Sequence, residues 1–271
     1  MIASIKAEWR KNRFRPAFLI AAGIIAAVVA LLYSVEFYQA THHTSAADAS
    51  LLALYPDQFV NNVMGAGFPL GAAMALVLGA LAAGSEYGWG TMKTVLTQRP
   101  GRLTTLAGRV IAFQAWMGIL TLIIFGVGAG YSVVIVSIEG HAIVLPAAID
   151  IAKGVGAMWL VLSVSGSLGM ALGVLFRQSA AALGVGLIYV TVLQIVLVRF
   201  INAFNNGSYK WIANLFDGQN ASALLQSFTS PVYGRAVAPA IGAEQAVLVL
   251  VAYLAFFLIA SAAPLRQRDV T

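Results

Sequence analysis

The stretch GSEYGWGTMKTVLTQRPGR, Gly84–Arg102, decides how this chain is read. It carries Glu86, Lys93, Arg99 and Arg102, while residues 58–85 before it and 110–138 after it carry no Asp, Glu, Lys or Arg. Each flanking run is longer than the roughly 20 apolar residues that cross a bilayer as a helix. A short basic passage between two such runs lies at a membrane surface. What it touches there is the functional question.

Composition agrees with a membrane setting. Of 271 residues, 60% are hydrophobic and 10% are charged, and the mean hydropathy is +0.86. Soluble domains carry about 25% charged residues, so this chain could not cover a water-facing surface. It has no cysteine, which excludes disulfides and thiolate metal sites. Working outward from Gly84–Arg102, six spans are expected at about residues 16–35, 60–85, 109–136, 150–176, 178–200 and 245–265. Lipid leaves only helices or closed barrels, and the short alternating segments of a barrel are missing. The expected fold is a single all-α polytopic membrane domain over residues 1–271.

The net charge of +6 has a topological reading. With the N-terminus inside, twelve Lys and Arg fall on inner pieces, and four (Lys153, Arg199, Lys210 and Arg235) fall outside. That bias follows the positive-inside rule and puts both termini inside. Nucleic acid is therefore not an expected partner. The first span is longer than a signal-peptide core, and no small-residue cleavage site follows it closely, so it is kept as a span.

Residues 1–15 are basic, with Ile2, Ile5 and Trp9 at helical spacing and Lys6, Arg10, Lys11 and Arg13 as a cationic side. This pattern predicts an interfacial helix with Trp9, Arg10 and Arg13 at headgroup depth, turning at Pro16. The His42–His43 pair lacks further ligands nearby and reads as solvated loop. Glycines at 67 and 71, and at 166, 169 and 173, read as close-packing positions. Arg177–Ser179 makes a tight hairpin. Gln194, with Tyr189 and Thr191, interrupts an apolar fifth span; it either bonds across helices or faces a cavity. Residues 202–244 mix aromatic and apolar side chains with Asn, Ser and Gly. They read as amphipathic or re-entrant pieces at the outer side.

No catalytic motif is present, and no lysine follows a glycine, so there is no P-loop. The chain is expected to be a non-enzyme. None of the ionisable residues considered, Glu36, Glu86, Arg109, Asp150, Lys153, Arg177 and Arg199, falls in mid-span, which disfavours a proton- or sodium-coupled carrier. Energy for transport would have to come from another chain.

On this topology and on the run EYGWGTMKTVLTQRPGR, Glu86–Arg102, the chain resembles the type-2 permease subunits of ABC transporters, with a type V exporter architecture. A glutamate leaves the second span, then come Gly-Thr, a short apolar-basic helix and an arginine. The resemblance implies that Thr91–Gln98 is a coupling helix seated in a groove of a separate ATPase, which would hold the ATP and Mg. Val95 and Leu96 would supply apolar contact. Thr91 belongs to the same helix, and Lys93, Arg99 and Arg102 would supply charge. Glu86 would tie the second span to this region by a salt bridge to an arginine, and Pro100–Gly101 would end the helix. Residues 1–15 would be the elbow helix. Two permease chains, alike or different, would pair, with their second and fifth spans lining a path on which Tyr189, Thr191 and Gln194 lie. An amphiphilic or lipid-like substrate would be exported or flipped across a bacterial plasma membrane. A gradient-driven carrier or channel, or a scaffold or sensor subunit, is the alternative.

Overall fold

The structure is a computed structural model that describes residues 2–42, 51–88, 102–204, 208–228 and 241–267. In chain order the helices are α1 (Ile2–Arg13), α2 (Pro16–His42), α3 (Phe59–Gly88), α4 (Arg102–Ile138), α5 (Ala148–Phe176), α6 (Ser179–Ile188), α7 (Gln194–Ala203), α8 (Lys210–Ala213), α9 (Asp217–Gln226) and α10 (Ala243–Gln267). A 3-10 turn, Pro56–Gln58, leads into α3, and a π-helical turn, Tyr189–Leu193, joins α6 to α7. Among the described residues there is no strand. Six helical stretches are long and apolar enough to cross a membrane, so the chain is an all-α, multi-pass integral membrane protein.

The first, third and fifth spans differ from those expected, the third because α4 begins at Arg102 rather than near residue 109. The first span continues as one helix to His42 rather than stopping near residue 35, taking Glu36 into α2. The fifth is not an unbroken α-helix: the π-helical turn sits in its middle. Its sequence, YVTVL, is as apolar as its neighbours and carries no Gly or Pro to mark it.

The centre of the bundle is α5, whose side chains from Ala157 to Val174 are mostly buried, paired along its length with α3. Small residues let the two backbones meet. A Cβ on Gly79 would lie 1.9 Å from the Gly166 carbonyl oxygen, and one on Gly169 would lie 2.0 Å from the Leu76 carbonyl oxygen. The glycines first expected to mark contacts do pack: Gly67 faces Ile124 of α4 and Gly71 faces Leu162 of α5. On the periphery, α2, the α6–α7 span and α10 present exposed apolar side chains such as Leu19, Leu31, Ile188, Phe200, Leu248 and Ile259. In a bilayer these meet acyl chains.

The bundle has two ends. The termini end gathers the starts of α2 and α4, the end of α3, the α5–α6 hairpin and the last turns of α10; there Leu106 packs with Tyr87 and Ala262. At the hairpin, Arg177 adopts a left-handed conformation (φ 53°), the single non-glycine positive φ among the described residues. Helix α6 then starts against Gly84, where a Cβ would sit 2.7 Å from the Ser179 Cα.

Candidate functional site

The termini end holds a buried cluster of charge. Glu86, in the last turn of α3, is 3% exposed, and its two carboxylate oxygens bond the Lys11 ammonium of α1 and the Arg109 guanidinium of α4. Arg109 is equally buried and also lies 3.8 Å from a Glu8 carboxylate oxygen; Lys11 lies 3.1 Å from the other. Arg15, between α1 and α2, donates to the Leu81 carbonyl oxygen at 3.4 Å. Two carboxylates and two cations thus clasp three elements, α1, α3 and α4, with the buried Arg109 Nε left without a partner among the described residues. Buried charges persist when paired and hydrogen-bonded, and this cluster meets that condition with bonds from both ends of Glu86.

The clasp explains the posture of α1. Its buried face is the polar stripe Ser4, Glu8 and Asn12, at i, i+4, i+8, while Ile2 and Phe14 are exposed. Ser4 Oγ donates to the Thr104 carbonyl oxygen at 3.3 Å, and Gly108 leaves room for it. Trp9 is half-buried and stacks on Trp116 of α4 with ring centroids 5.4 Å apart, and Trp116 in turn meets Phe18 of α2 at 5.3 Å. Trp9 therefore anchors α1 to the bundle. Arg10 and Arg13 are exposed. The i, i+4 polar spacing was a readable signal for the buried face; a charged stripe facing inward is chosen because Arg109 needs a carboxylate.

Of the residues assigned to the coupling region, Glu86 is placed as described. Thr91, Lys93, Val95, Leu96 and Arg99 lie outside the described residues, and Arg102 opens α4.

A second polar cluster lies within the bundle. Asp217, the first residue of α9, is 6% exposed. Its Oδ1 accepts hydrogen bonds from the Tyr189 hydroxyl at 2.9 Å and from the Gln194 amide. These two donors flank the π-helical turn, whose extra residue per turn brings both onto one side. Gly218 permits the approach: a Cβ there would lie 2.5 Å from Gln194 Oε1. Gln194 stands nine residues before the end of α7, about 14 Å from that end of the span at 1.5 Å per residue. Residues 217–226 thus run from the level of Gln194 back toward the far end, packed on α3, α5 and α10. Asn220, fully buried, bonds the Asn214 and Phe216 carbonyl oxygens at 2.8 Å each and so fixes the turn entering α9.

Asp217 is a buried carboxylate that the expectation, drawn from residues at the span ends, did not include. Asp217 comes from outside the six spans, so a scan of the spans could not find it. It also divides the three residues placed on a substrate path. Tyr189 and Gln194 are spent on Asp217, and Thr191 is exposed, its hydroxyl returned to the Leu187 carbonyl oxygen at 2.7 Å. Gln194 bonds across helices rather than facing an open cavity.

At the far end, a cavity of about 650 Å³ opens where α3, α5, α9 and α10 converge. Asp57, Asp150 and Lys153 stand on its polar side, and Leu160, Leu224 and Phe228 on its apolar side. His42 turns away from any such use: its Nδ1 lies 3.0 Å from the Tyr38 carbonyl oxygen and its ring stacks on Tyr38.

A short N-terminal helix clasped to six helices long and apolar enough to cross a membrane defines a polytopic membrane protein with a built charge cluster at its termini end. The chain belongs to the DUF2705 family, described as a protein family of unknown function, whose family model matches residues 18–271. No curated protein matches the chain.

Proposed function

We propose that this chain is the transmembrane subunit of an ATP-driven transporter that draws its energy from a separate ATPase at the termini end. The observation that carries this reading is the clasp of Glu86 with Arg109, Lys11 and Glu8. It stands at the root of the Gly84–Arg102 passage and joins the interfacial helix to both helices that flank that passage. A push on the passage would reach three elements together, which is what coupling to an external motor requires. The type-2 ABC permease resemblance, with Thr91–Gln98 as the docking helix, supplies the partner. Both termini would be cytoplasmic, in a bacterial plasma membrane, and two such chains would pair. The cavity beside Asp57, Asp150 and Lys153, with its apolar wall, suits an amphiphilic or lipid-like substrate.

The test is reconstitution. The chain, co-expressed with a candidate ABC ATPase, should co-purify with that ATPase and support ATP-dependent movement of a labelled lipid analogue. Glu86→Gln should leave ATP hydrolysis by the partner while abolishing the movement. Failure to associate with any ATPase overturns the reading.

A second reading, a gradient-driven carrier, is favoured by one observation: the buried carboxylate of Asp217 packed against the fifth span beside a π-helical turn. Ionisable groups buried among spans mark ion paths in carriers. This reading predicts flux from the purified chain alone, without nucleotide, driven by a pH gradient and lost in Asp217→Asn.

A further inference from the structure

We propose that the groove between α1 and α4 is a binding site for one anionic phospholipid. The groove encloses about 570 Å³. Its floor is apolar: Ile5 and Trp9 from α1, and Ile111 and Ala115 from α4. Its rim is Lys6, Arg10 and Arg13, all exposed.

The clasp creates this arrangement. Because α1 turns Ser4, Glu8 and Asn12 into the bundle, both of its described carboxylate contacts are consumed by Lys11 and Arg109. Lys6, Arg10 and Arg13 are left on the other side, and no carboxylate pairs with them among the described residues. Phe14, 73% exposed, extends the apolar lip, with the Arg13 guanidinium 6.0 Å above its ring. An acyl chain fits the floor, and a phosphodiester fits between the guanidinium groups, which bind phosphate by charge-assisted hydrogen bonds.

The charge sign selects the headgroup. A choline headgroup would bring a quaternary cation against three uncompensated cations, whereas a glycerol headgroup leaves the phosphate's charge unopposed. A soluble phosphate would satisfy the rim but leave the floor empty. A partner helix of another protein would have to match three cations and lie along a groove only as long as the residues from Ile5 to Phe14. The lipid accounts for rim and floor together.

The experiment uses the full chain, reconstituted in phosphatidylcholine vesicles containing a minority of phosphatidylglycerol, re-extracted in mild detergent and weighed by native mass spectrometry. Wild type should retain phosphatidylglycerol in excess of its share of the bilayer. The triple variant Lys6→Gln, Arg10→Gln, Arg13→Gln should lose that excess, with apparent affinity falling roughly tenfold or more. Arg199→Gln with Lys210→Gln, exposed and away from both cavities, should retain it. Ala115→Trp, which fills the floor and keeps every cation, should lose it as well, so the outcome does not depend on the triple variant folding. Competing inorganic phosphate at constant ionic strength should not displace the lipid. No enrichment in wild type, equal enrichment in the triple variant or in Ala115→Trp, or displacement by inorganic phosphate would each overturn the proposal.

Discussion

Glu86 and Arg109, 23 residues apart in sequence, form an ion pair in which each residue is only 3% exposed. They stand just inside the two helices that bracket the basic passage, one on α3 and one on α4. The pair therefore sets the separation and orientation of the passage's two ends. Lys11 and Glu8 extend the pair to α1, so the interfacial helix is registered to the same point.

Breaking this pair from one side should be costly, because the surviving charge stays buried. Glu86→Gln or Arg109→Gln should each destabilise the protein by about 3–5 kcal/mol, with Arg109→Gln the milder, since Lys11 still satisfies Glu86. The double variant should cost less than the sum of the two, since neither charge is then left alone. Denaturant unfolding in detergent, followed by tryptophan fluorescence, measures all three. Additive effects would mean that the two residues do not interact.

The buried Asp217 cluster makes a separate prediction. Tyr189→Phe removes one donor to Asp217 and should cost about 1–3 kcal/mol. Gln194→Leu should cost more, because it removes a donor at a buried position and sets a branched side chain against Gly218. Asp217→Asn keeps acceptor capacity and should be the mildest of the three. Hydrogen exchange over residues 217–226 is the readout: if α9 is held in place by these bonds, Tyr189→Phe and Gln194→Leu raise its exchange while α3 stays protected.

The six spans were legible because length and apolarity alone identify them; nothing in their packing had to be known. Glu86 was legible too, since a charge at the edge of an uncharged run stands out. Its partners were not. Arg109 entered the sequence reading as a charge at a span end and Lys11 as part of the cationic side of residues 1–15, and choosing among many cations for a partner requires the fold. The buried face of α1 was written in the Ser4, Glu8, Asn12 spacing, but apolar residues at similar spacing competed for the same interpretation. Asp217 was beyond sequence reasoning for a physical reason. The position of a piece outside the spans is set by what it packs against, and the signals that place it, Gly218 and the π-helical turn at Tyr189–Leu193, look like ordinary helix residues.

The closest helix contact predicts its own sensitivity. Gly79→Ala places a methyl 1.9 Å from the Gly166 carbonyl oxygen, and backbone cannot yield as a side chain can. That variant should fail to give a monodisperse protein in size-exclusion chromatography. Gly126→Ala, where a Cβ meets nothing within 4 Å, should behave as wild type. Equal behaviour of the two would place α3 and α5 further apart than described.

The attachment of α1 can be tested without touching a charge. A Cβ on Gly108 would lie 2.3 Å from Ser4 Oγ and 3.0 Å from the Ser4 backbone carbon, so Gly108→Val must push the start of α1 off α4. If the ionic clasp alone holds α1, the helix pivots about Lys11 and Glu8, and the Trp9–Trp116 stack survives. If the clasp and the close contact act together, the stack opens, its near-ultraviolet circular dichroism signal falls, and trypsin reaches Arg10 and Arg13 faster. The second outcome is expected, because Ser4 and Trp9 lie on either side of Glu8 along one short helix, and a displacement at Ser4 cannot be absorbed within a helix of twelve residues. The same variant, with every clasp residue intact, should then weaken the ion pairs to Glu8 before those between Glu86 and Arg109.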